Sequence, residues 1–280
     1  MDRSERIWER IYICRKPANL KGIETILSTA VFDGTTAILL VAGVGRRLGG
    51  RDLPPKVLLQ FEGRTLLERH LDALRRNGIG RVMLTVGYGE DLIRAEVERL
   101  GAGGLVGFVR NERFREGSLV SLAAQGKTLR AGTPVLLMDG DVLYGPEMIA
   151  RLLAAGGENC LLVDRDVEPG DEPVKVCFRE GRIVDFRKKP EHAHEWYGES
   201  VGFFRFSPAM AAALADGCDG YIARGQTGQE YEEAIRDEIL CDPARFHAED
   251  ISGLPWTEID FEADVARARD IVLPRLVMAG

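Results

Sequence analysis

Residues 37–56 place a short apolar run directly before a loop that is rich in glycine and in cationic side chains. The run, residues 37–41, suits a strand that is buried on both faces of a parallel sheet. Gly43 and Gly45 allow the backbone after it to pass close to a ligand and to turn N–H groups toward that ligand. Three cations beside the loop can bind phosphate oxygens, namely Arg46, Arg47 and Lys56. The segment therefore predicts a strand that ends in a phosphate-binding loop.

Strand and helix patterns alternate along the part of the chain that follows this loop. The predicted strands here are 81–86, 105–109 and 134–138. The predicted amphipathic helices are 65–77, 90–100 and a third that begins at Ser118. This alternation predicts a doubly wound, mostly parallel sheet of the Rossmann-like α/β class. His70 lies on the apolar face of the first helix, and we expect a core histidine there rather than a ligand-binding one.

The pattern changes after residue 142, where strands follow one another more closely. The strands expected in this half are 159–163, 174–179, 182–186, 201–206 and 246–250. Helices are expected over 146–153, from Ser207, over 230–240 and over 262–271. These elements predict a mixed sheet that extends the parallel one.

The composition is that of a globular protein, with 45% of the 280 residues hydrophobic and 29% charged. The net charge of −7 argues against a general nucleic-acid-binding protein, because a basic excess is needed to neutralise phosphates. The five cysteines form no C-x-x-C pair, which argues against a zinc knuckle or a redox motif. No stretch is apolar enough to span a membrane, and residues 1–6 lead into no signal-peptide core. We therefore expect a cytoplasmic protein without membrane insertion.

The phosphate-binding loop resembles the signature of the sugar-phosphate nucleotidyltransferases, which is usually L-x-A-G-x-G-x-R-L followed by P-K. Here the string runs from Leu40 to Leu48 and is followed by Pro55 and Lys56. It lacks the third glycine of the dinucleotide-binding fingerprint, and no G-x-x-x-x-G-K-[ST] follows. The alternative is a tight strand–helix turn with solvated arginines. The resemblance implies that Arg47 and Lys56 are catalytic and that four neighbours bind the nucleotide: Ala42, Gly43, Gly45 and Arg46.

Later segments narrow the resemblance to cytidylyltransferases that act on phosphocholine, on phosphonates or on inositol 1-phosphate. They are Asn111 with 117–122, then 171–176, 187–189, 198–204 and 256–271. The resemblance covers roughly residues 37–272. It departs at Arg46, where Thr or Ser is common, and in residues 1–35, which form an N-terminal extension to the expected domain at 36–280. We expect the extension to pack against the domain or against a homodimer partner.

Two aspartates stand where this family binds a divalent metal, and the resemblance implies that they hold Mg²⁺ together. Asp141 follows a predicted buried strand, at the edge where doubly wound sheets bind ligands. Asp260 lies in a segment similar to the family's late W-x-E/D-I/V-D string. Asp139 is equally compatible with a direct ligand and with a turn residue or a residue that supports the ligands. Glu258 is expected to be solvated or supporting.

The remaining candidates concern the base and the acceptor. Base recognition is expected from the backbone at 42–43 and at Gly87, with a hydrogen bond from Ser118 or Ser121. The candidate acceptor-binding residues are Lys175, Lys189, Glu199, Tyr231 and Arg236. Lys188 is expected to be a solvated neighbour on the opposite strand face, because side chains alternate along a strand. The helix with Tyr231 and Arg236 either holds a cationic or hydroxylated head group or is an amphipathic surface helix.

The sequence thus predicts a CTP-dependent cytidylyltransferase that transfers CMP to a small phospho-alcohol or phosphonate and releases pyrophosphate. A sugar-1-phosphate nucleotidyltransferase that uses another NTP is the alternative within the class. A non-catalytic regulatory subunit with the same fold is an alternative of another class. The intact set Arg47, Lys56, Asp141 and Asp260 counts against the regulatory subunit. The sequence does not name the acceptor.

Overall fold

The computed structural model describes residues 34–48, 53–167 and 172–278. The strands of this part are β1 (Thr36–Leu40), β2 (Gln60–Phe61), β3 (Arg64–Thr65), β4 (Arg81–Val86), β5 (Val106–Arg110), β6 (Val135–Asp139), β7 (Val142–Tyr144), β8 (Asn159–Asp164), β9 (Lys175–Arg179), β10 (Arg182–Arg187), β11 (Trp196–Phe206), β12 (Phe246–Asp250) and β13 (Trp256–Glu258). The α-helices are α1 (Leu66–Arg76), α2 (Glu90–Arg99), α3 (Ser118–Ala124), α4 (Gly126–Leu129), α5 (Glu147–Ala154), α6 (Pro208–Ala223), α7 (Tyr231–Cys241), α8 (Glu262–Arg267) and α9 (Leu273–Met278). A π-helical segment, Ala268–Val272, joins the last two helices.

One large sheet runs through the described residues, and its strand order is β10-β9-β11-β6-β1-β4-β5. β6, β1, β4 and β5 are parallel, and β11 pairs with β6 in the antiparallel direction. β8 also pairs with β11 and carries β12 in parallel. The predicted doubly wound, mostly parallel class with a mixed second half is confirmed. In the sheet, β4 and β5 lie on one side of β1, and β6 lies on the other side. The crevice at the carboxyl ends of β1 and β6 is therefore the topological switch point, where such sheets bind ligands.

The sheet has a hydrophobic core on each face, as alternation of side chains along a buried strand requires. Ala37 and Leu39 of β1 belong to the core beneath α1, α2 and α5. Ile38, between them, belongs to the core beneath α3, α4, α6 and α7. All three side chains are fully buried, as expected for a central parallel strand.

Most predicted elements occur within one or two residues of their expected ends. Thr65 caps α1 and accepts a hydrogen bond from the backbone N–H of Glu68 at 3.0 Å, and the helix ends at Asn77. β11 begins at Trp196, five residues earlier than expected, because β9 pairs with its first residues. The short strands β7 and β13 were not predicted, because each is stabilised by backbone hydrogen bonds to the other, which is distant in sequence. Between the loop and α1, the chain forms a 3₁₀ turn, Lys56–Leu58, before β2 begins.

The predicted N-terminal extension, residues 1–35, lies almost entirely outside the described residues and stays a prediction. Within the described residues, the helices are all too short or too polar to cross a membrane.

Arg205 of β11 is buried and joins the sheet to the end of α5. Its guanidinium donates to the carbonyl oxygens of Leu152 at 3.1 Å and of Ala155 at 2.7 Å. It also reaches the carbonyl oxygens of Gly156 and Gly157, both at 3.3 Å. Arg205 thus satisfies carbonyl groups that the end of a helix leaves without intrahelical partners.

We expect Arg205→Met to lower the free energy of unfolding by about 2–3 kcal/mol, because the carbonyl of the buried Leu152 and that of the half-buried Ala155 lose their donor. Urea denaturation of the purified variant measures this loss. The matched control is Arg182→Met at the exposed start of β10, where the change should stay within about 0.5 kcal/mol. Equal losses in the two variants would contradict the prediction.

Candidate active site

The loop after β1 lies at the switch point and carries no regular secondary structure until the 3₁₀ turn Arg46–Leu48. Hydrogen bonds tie it to both neighbouring strands: Val41 donates to Thr85 at 3.0 Å, and Gly140 donates to the carbonyl of Leu40 at 3.2 Å. Gly45 has a φ of +64°, a conformation that glycine adopts without strain. A Cβ at Gly45 would lie 3.1 Å from Cγ of Lys56. The glycine therefore lets the Lys56 side chain run along the loop.

A cleft of about 610 Å³ opens at this edge of the sheet. It is lined by 42–45, Arg47, Lys56, 114–118, Ser121, Asp139, Asp141, Asp164, Asp166, 172–174, Lys188, 199–202, 230–232, 256–258, Asp260, Phe261, Asp264 and Arg267, together with Leu40. The sequence-predicted residues that line it are Ala42, Gly43, Gly45, Arg47, Lys56, Ser118, Ser121, Asp141, Glu199, Tyr231 and Asp260. The predicted residues that do not are Gly87, Lys175, Lys189 and Arg236. The side chain of Arg46 lies outside the described part of the structure.

The antiparallel pair β7–β13 brings the two predicted metal ligands together. Glu258 of β13 is opposite Val142 of β7, and the N–H of Ile259 donates to the carbonyl of Asp141 at 2.9 Å. One carboxylate oxygen from each of Asp141, Glu258 and Asp260 then lies within 4.8 Å of the others. Three convergent carboxylates are a donor set that suits a hard divalent cation.

Glu258 was expected to be solvated or supporting; it is exposed, as expected, and the structure also makes it the third member of this carboxylate cluster. Its side chain is exposed to the water of the cleft. The walls of the cleft nevertheless lie close around its carboxylate and displace part of the surrounding water. Burial raises the pKa of Glu258 well above its usual range, and the carboxylates of Asp141 and Asp260 raise it further. The signal was present in the sequence, because residues two apart in an extended segment point to the same side.

Lys56 lies between the two aspartates and compensates their charge. Its Nζ atom is 2.9 Å from Oδ2 of Asp141 and 2.6 Å from Oδ1 of Asp260. Burial alone would lower the pKa of Lys56, but the attraction of the two carboxylates outweighs it and raises that pKa. Lys56 is therefore held as an ammonium beside the glycine loop.

Arg47 adds a second cation on the solvent side of the cluster. Its Nη1 atom is 3.1 Å from Oδ2 of Asp260 and 2.9 Å from Oε2 of Glu172. Its guanidinium also lies 5.4 Å from the ring centroid of Phe261. The side chain remains 45% exposed, so its guanidinium is accessible to a bound anion.

Asp139 is not part of the carboxylate cluster, although it lines the same cleft. The hydroxyl of Tyr231 donates to its Oδ2 atom at 2.7 Å. Gly202 has a φ of +76°, and a Cβ there would lie 2.1 Å from the same oxygen. Burial raises the pKa of Asp139 well above its usual range, and Glu232 and Asp141 raise it further. The sequence left open whether Asp139 is a direct metal ligand or a supporting residue, and the structure favours the supporting role.

The two serines predicted to contact the base have different surroundings. Ser118 donates to Oε2 of Glu230 at 2.8 Å and accepts from the N–H of Tyr231 at 2.9 Å, so it joins α3 to the start of α7. Ser121 accepts from the side-chain amide of Asn111 at 3.0 Å, which leaves its hydroxyl proton to donate. Gly87 is covered by Phe114, since a Cβ at Gly87 would lie 2.5 Å from that of Phe114. Gly87 is partly exposed but does not line the cleft, so its predicted contact with the base stays a prediction.

Arg236 and the lysines correct the predicted acceptor site. Arg236 donates to Oδ1 of the buried Asp185 at 2.6 Å, and burial would raise the pKa of Asp185, but this bond lowers it below its usual range. Lys175 is buried and donates to the carbonyl of Lys188 at 2.9 Å, and Lys189 is exposed outside the cleft. Lys188, expected to be a solvated neighbour, is the lysine of this group that lines the cleft. The pairing of β10 is irregular between Ile183 and Asp185 and the chain bends at 188–189, so the alternation of a straight strand does not predict which way Lys188 faces.

His70 is the core histidine that the sequence predicted. It is fully buried, with Nε2 3.1 Å from the carbonyl oxygen of Gly140 and Nδ1 3.2 Å from the hydroxyl of Tyr144. With the proton assigned to Nε2, the imidazole donates to Gly140, and Tyr144 donates to Nδ1. Burial lowers the pKa of His70 from 6.5 to about 4. A neutral His70 therefore supports the turn between Asp139 and Asp141.

A family model described as the MobA-like NTP transferase domain matches residues 37–197. The bifunctional IPC transferase and DIPP synthase of Rubrobacter xylanophilus is 29% identical over 248 residues, covering 86% of this chain and 52% of that protein. The CMP-5′-(3-aminopropyl)phosphonate synthase of Streptomyces rubellomurinus is 26% identical over 248 residues, covering 83% of this chain and 38% of that protein. The chain thus spans about half or less of the length of these relatives. The structure of the inositol-1-phosphate CTP transferase from T. maritima has the same fold, with a TM-score of 0.70 and 22% identity over 86% of this chain and 94% of that one.

We expect His70→Gln to flatten the dependence of stability on pH. The unfolded chain binds a proton at His70 near pH 6.5, whereas the folded protein binds it only near pH 4. Wild-type stability should therefore fall as the pH decreases through this window, by up to about 3 kcal/mol from this group. Above pH 6.5 the group adds no slope. Urea denaturation at several pH values measures the difference, and parallel curves for the two proteins would contradict the assignment.

Proposed function

Because this chain belongs to the MobA-like NTP transferase domain family, we propose that it is a cytidylyltransferase that transfers CMP from CTP to a small phosphorylated or phosphonate acceptor. Membership of the family makes the chain a nucleotidyltransferase. The choice of cytidine is supported by relatives whose names contain CMP or CTP, the aminopropylphosphonate synthase and the inositol-1-phosphate CTP transferase. A cytoplasmic location and a homodimer are further parts of this proposal.

The observation that carries the proposal is the position of Lys56. Its ammonium lies between Asp141 and Asp260 and beside the glycine loop, at the switch point of the sheet. Nucleotidyl transfer needs cations that neutralise a triphosphate and carboxylates that can share a divalent metal, all at one edge. The described residues bring both sets into one cleft.

In the proposed reaction an oxygen of the acceptor's phosphate or phosphonate attacks the α-phosphorus of CTP. A new P–O bond forms, and the bond from the α-phosphorus to the bridging oxygen breaks, so that pyrophosphate leaves with the electron pair. The acceptor is already an anion and needs positioning more than activation. Arg47 and Lys56 bind the triphosphate oxygens in this proposal, and Lys188 takes the acceptor role first assigned to Lys175 and Lys189.

Asp141, Glu258 and Asp260 would hold Mg²⁺, which commonly binds through carboxylates together with substrate phosphates. The bound ion would neutralise charge on the phosphate oxygens. In the described structure the Lys56 ammonium already compensates Asp141 and Asp260. We therefore infer weak metal binding before the nucleotide arrives, since the triphosphate would both attract Lys56 and add ligands.

Base selection in this proposal rests on the backbone at Ala42 and Gly43 and on the hydroxyl of Ser121, all of which line the cleft. Phe114 covers Gly87 and narrows the space beside the loop. A pyrimidine has a small polar edge that a few such contacts can satisfy.

The decisive experiment measures pyrophosphate release from CTP, UTP, ATP and GTP, each with a panel of phosphoethanolamine, 2-aminoethylphosphonate, inositol 1-phosphate and sugar 1-phosphates. We expect CTP to give the highest kcat/KM with a phospho-alcohol or phosphonate. A purine nucleotide that is preferred with a sugar 1-phosphate would establish the sugar-nucleotide alternative. Absence of turnover with every pair would favour a regulatory subunit.

We expect Lys56→Ala to have two opposite effects. Turnover should fall by about 10²–10³, the usual loss when one charge contact to the transition state is removed. Binding of Mn²⁺ to the nucleotide-free protein should become tighter, because Asp141 and Asp260 lose their compensating ammonium. Turnover assays and Mn²⁺ titration measure the two effects.

The matched control is Lys127→Ala on the exposed face of α4, which should change neither quantity. Asp141→Asn, Glu258→Gln and Asp260→Asn should each weaken Mn²⁺ binding in the presence of CTP. The proposed metal site is wrong if these three variants bind Mn²⁺ as the wild type does, or if turnover survives an excess of EDTA.

A further inference from the structure

Glu232, the second residue of α7, has a carboxylate oxygen that is left without a partner. Its Oε2 atom is shielded from solvent and accepts no hydrogen bond from any described residue. Glu232 is nevertheless one of the residues that line the cleft. An unpaired carboxylate oxygen that is out of contact with water is unfavourable, so this position suits a ligand group that brings a hydrogen-bond donor.

The charges around Glu232 are mostly of its own sign. Glu230 and Glu258 repel it, and the attraction of Lys188 is weaker. Burial and Glu230 together raise the pKa of Glu232 to about 8. Glu232 and Asp139 also repel each other across the start of α7. A cation placed here would relieve several repulsions at once.

The cleft as a whole has an excess of acidic side chains. Twelve acidic residues line it, against five basic ones. Two of the five, Arg47 and Lys56, already pair with Asp260. A divalent metal at Asp141, Glu258 and Asp260 would compensate one part of this charge. The carboxylates around Glu232 would keep theirs.

We propose that the acceptor carries a protonated primary amino group and that Glu232 binds this group, an inference that rests on the proposed transfer of CMP. An ammonium supplies both the N–H donor that Oε2 lacks and the charge that the surrounding carboxylates favour. A quaternary ammonium has no N–H to donate, and a hydroxyl donates without bringing charge. Lys188 lines the same cleft, with its Nζ atom 3.7 Å from Oε2 of Glu172, and in this proposal it holds the phosphate end of the acceptor. The acceptor class is therefore an aminoalkyl phosphate or an aminoalkyl phosphonate.

The test compares acceptors that differ in one group. With CTP and the wild-type protein, 2-aminoethylphosphonate should exceed 2-hydroxyethylphosphonate in kcat/KM by about tenfold or more, because the unpaired carboxylate discriminates against a neutral group. Phosphoethanolamine should likewise exceed phosphocholine. Glu232→Gln should lower kcat/KM for the amino acceptor at least about tenfold and leave that for the hydroxyl acceptor within a few-fold.

The matched control is Glu233→Gln, the neighbouring residue of α7, which pairs with Arg187 at 3.1 Å and does not line the cleft. This variant should keep the wild-type preference for the amino acceptor. Equal or better wild-type turnover of the hydroxyl acceptor or of phosphocholine would overturn the inference while the proposed function stands, and this comparison needs no variant to fold. The inference is also overturned if Glu232→Gln keeps the preference. Absence of pyrophosphate release with every acceptor would instead refute the proposed function.

Discussion

The pairing of β7 with β13 is the constraint on which the candidate active site depends. Two three-residue strands that are more than a hundred positions apart in sequence form an antiparallel ladder. Trp256 strengthens the attachment, because its indole N–H donates to Oδ2 of Asp164 at 2.7 Å. The Ile259 N–H to Asp141 carbonyl bond extends the ladder by one step. Residues from the two halves of the domain are held side by side in this way, and the three carboxylates converge at the end of the ladder.

Three converging carboxylates repel one another unless cations compensate their charge. The loop after β1 and the residue Lys56 that follows it supply these cations. Lys56 reaches Asp141 and Asp260 because Gly45 has no side chain to block its path. Arg47 binds Asp260 from the solvent side. His70 supports the turn before Asp141 from within the core. The loop after β1, the turn at 139–141 and the segment that follows β13 are thus joined by ion pairs as well as by hydrogen bonds.

Site residues could be predicted from the sequence where a local string carries them, and they were missed where contacts across the chain decide. Arg47, Lys56, Asp141 and Asp260 each stand in a recognisable segment, and all line the cleft. Arg236 stands in no such string and was predicted as a charge on a helix of the acceptor half, but it binds the buried Asp185. Lys188 lines the cleft and Lys189 does not, because β10 is irregular and the chain bends at 188–189, so simple alternation fails there. Glu258 could have been predicted, because residues two apart in an extended segment point to the same side. The unpaired oxygen of Glu232 could not, because it depends on how α7 packs beside the sheet.

The sequence by itself determined the class of the fold and the chemistry of the loop. Alternating apolar runs and amphipathic helices leave a doubly wound sheet as the arrangement that buries both faces of each strand. A Gly-x-Gly string with cations at the end of such a strand predicts phosphate binding, because both properties are local to a few residues. The tertiary structure decided which carboxylates meet, which lysine faces the cleft and which acidic group is left without a partner. These outcomes depend on the β7–β13 register, on the irregular pairing of β10 and on the packing of α7 beside the sheet, all of which involve segments distant in sequence.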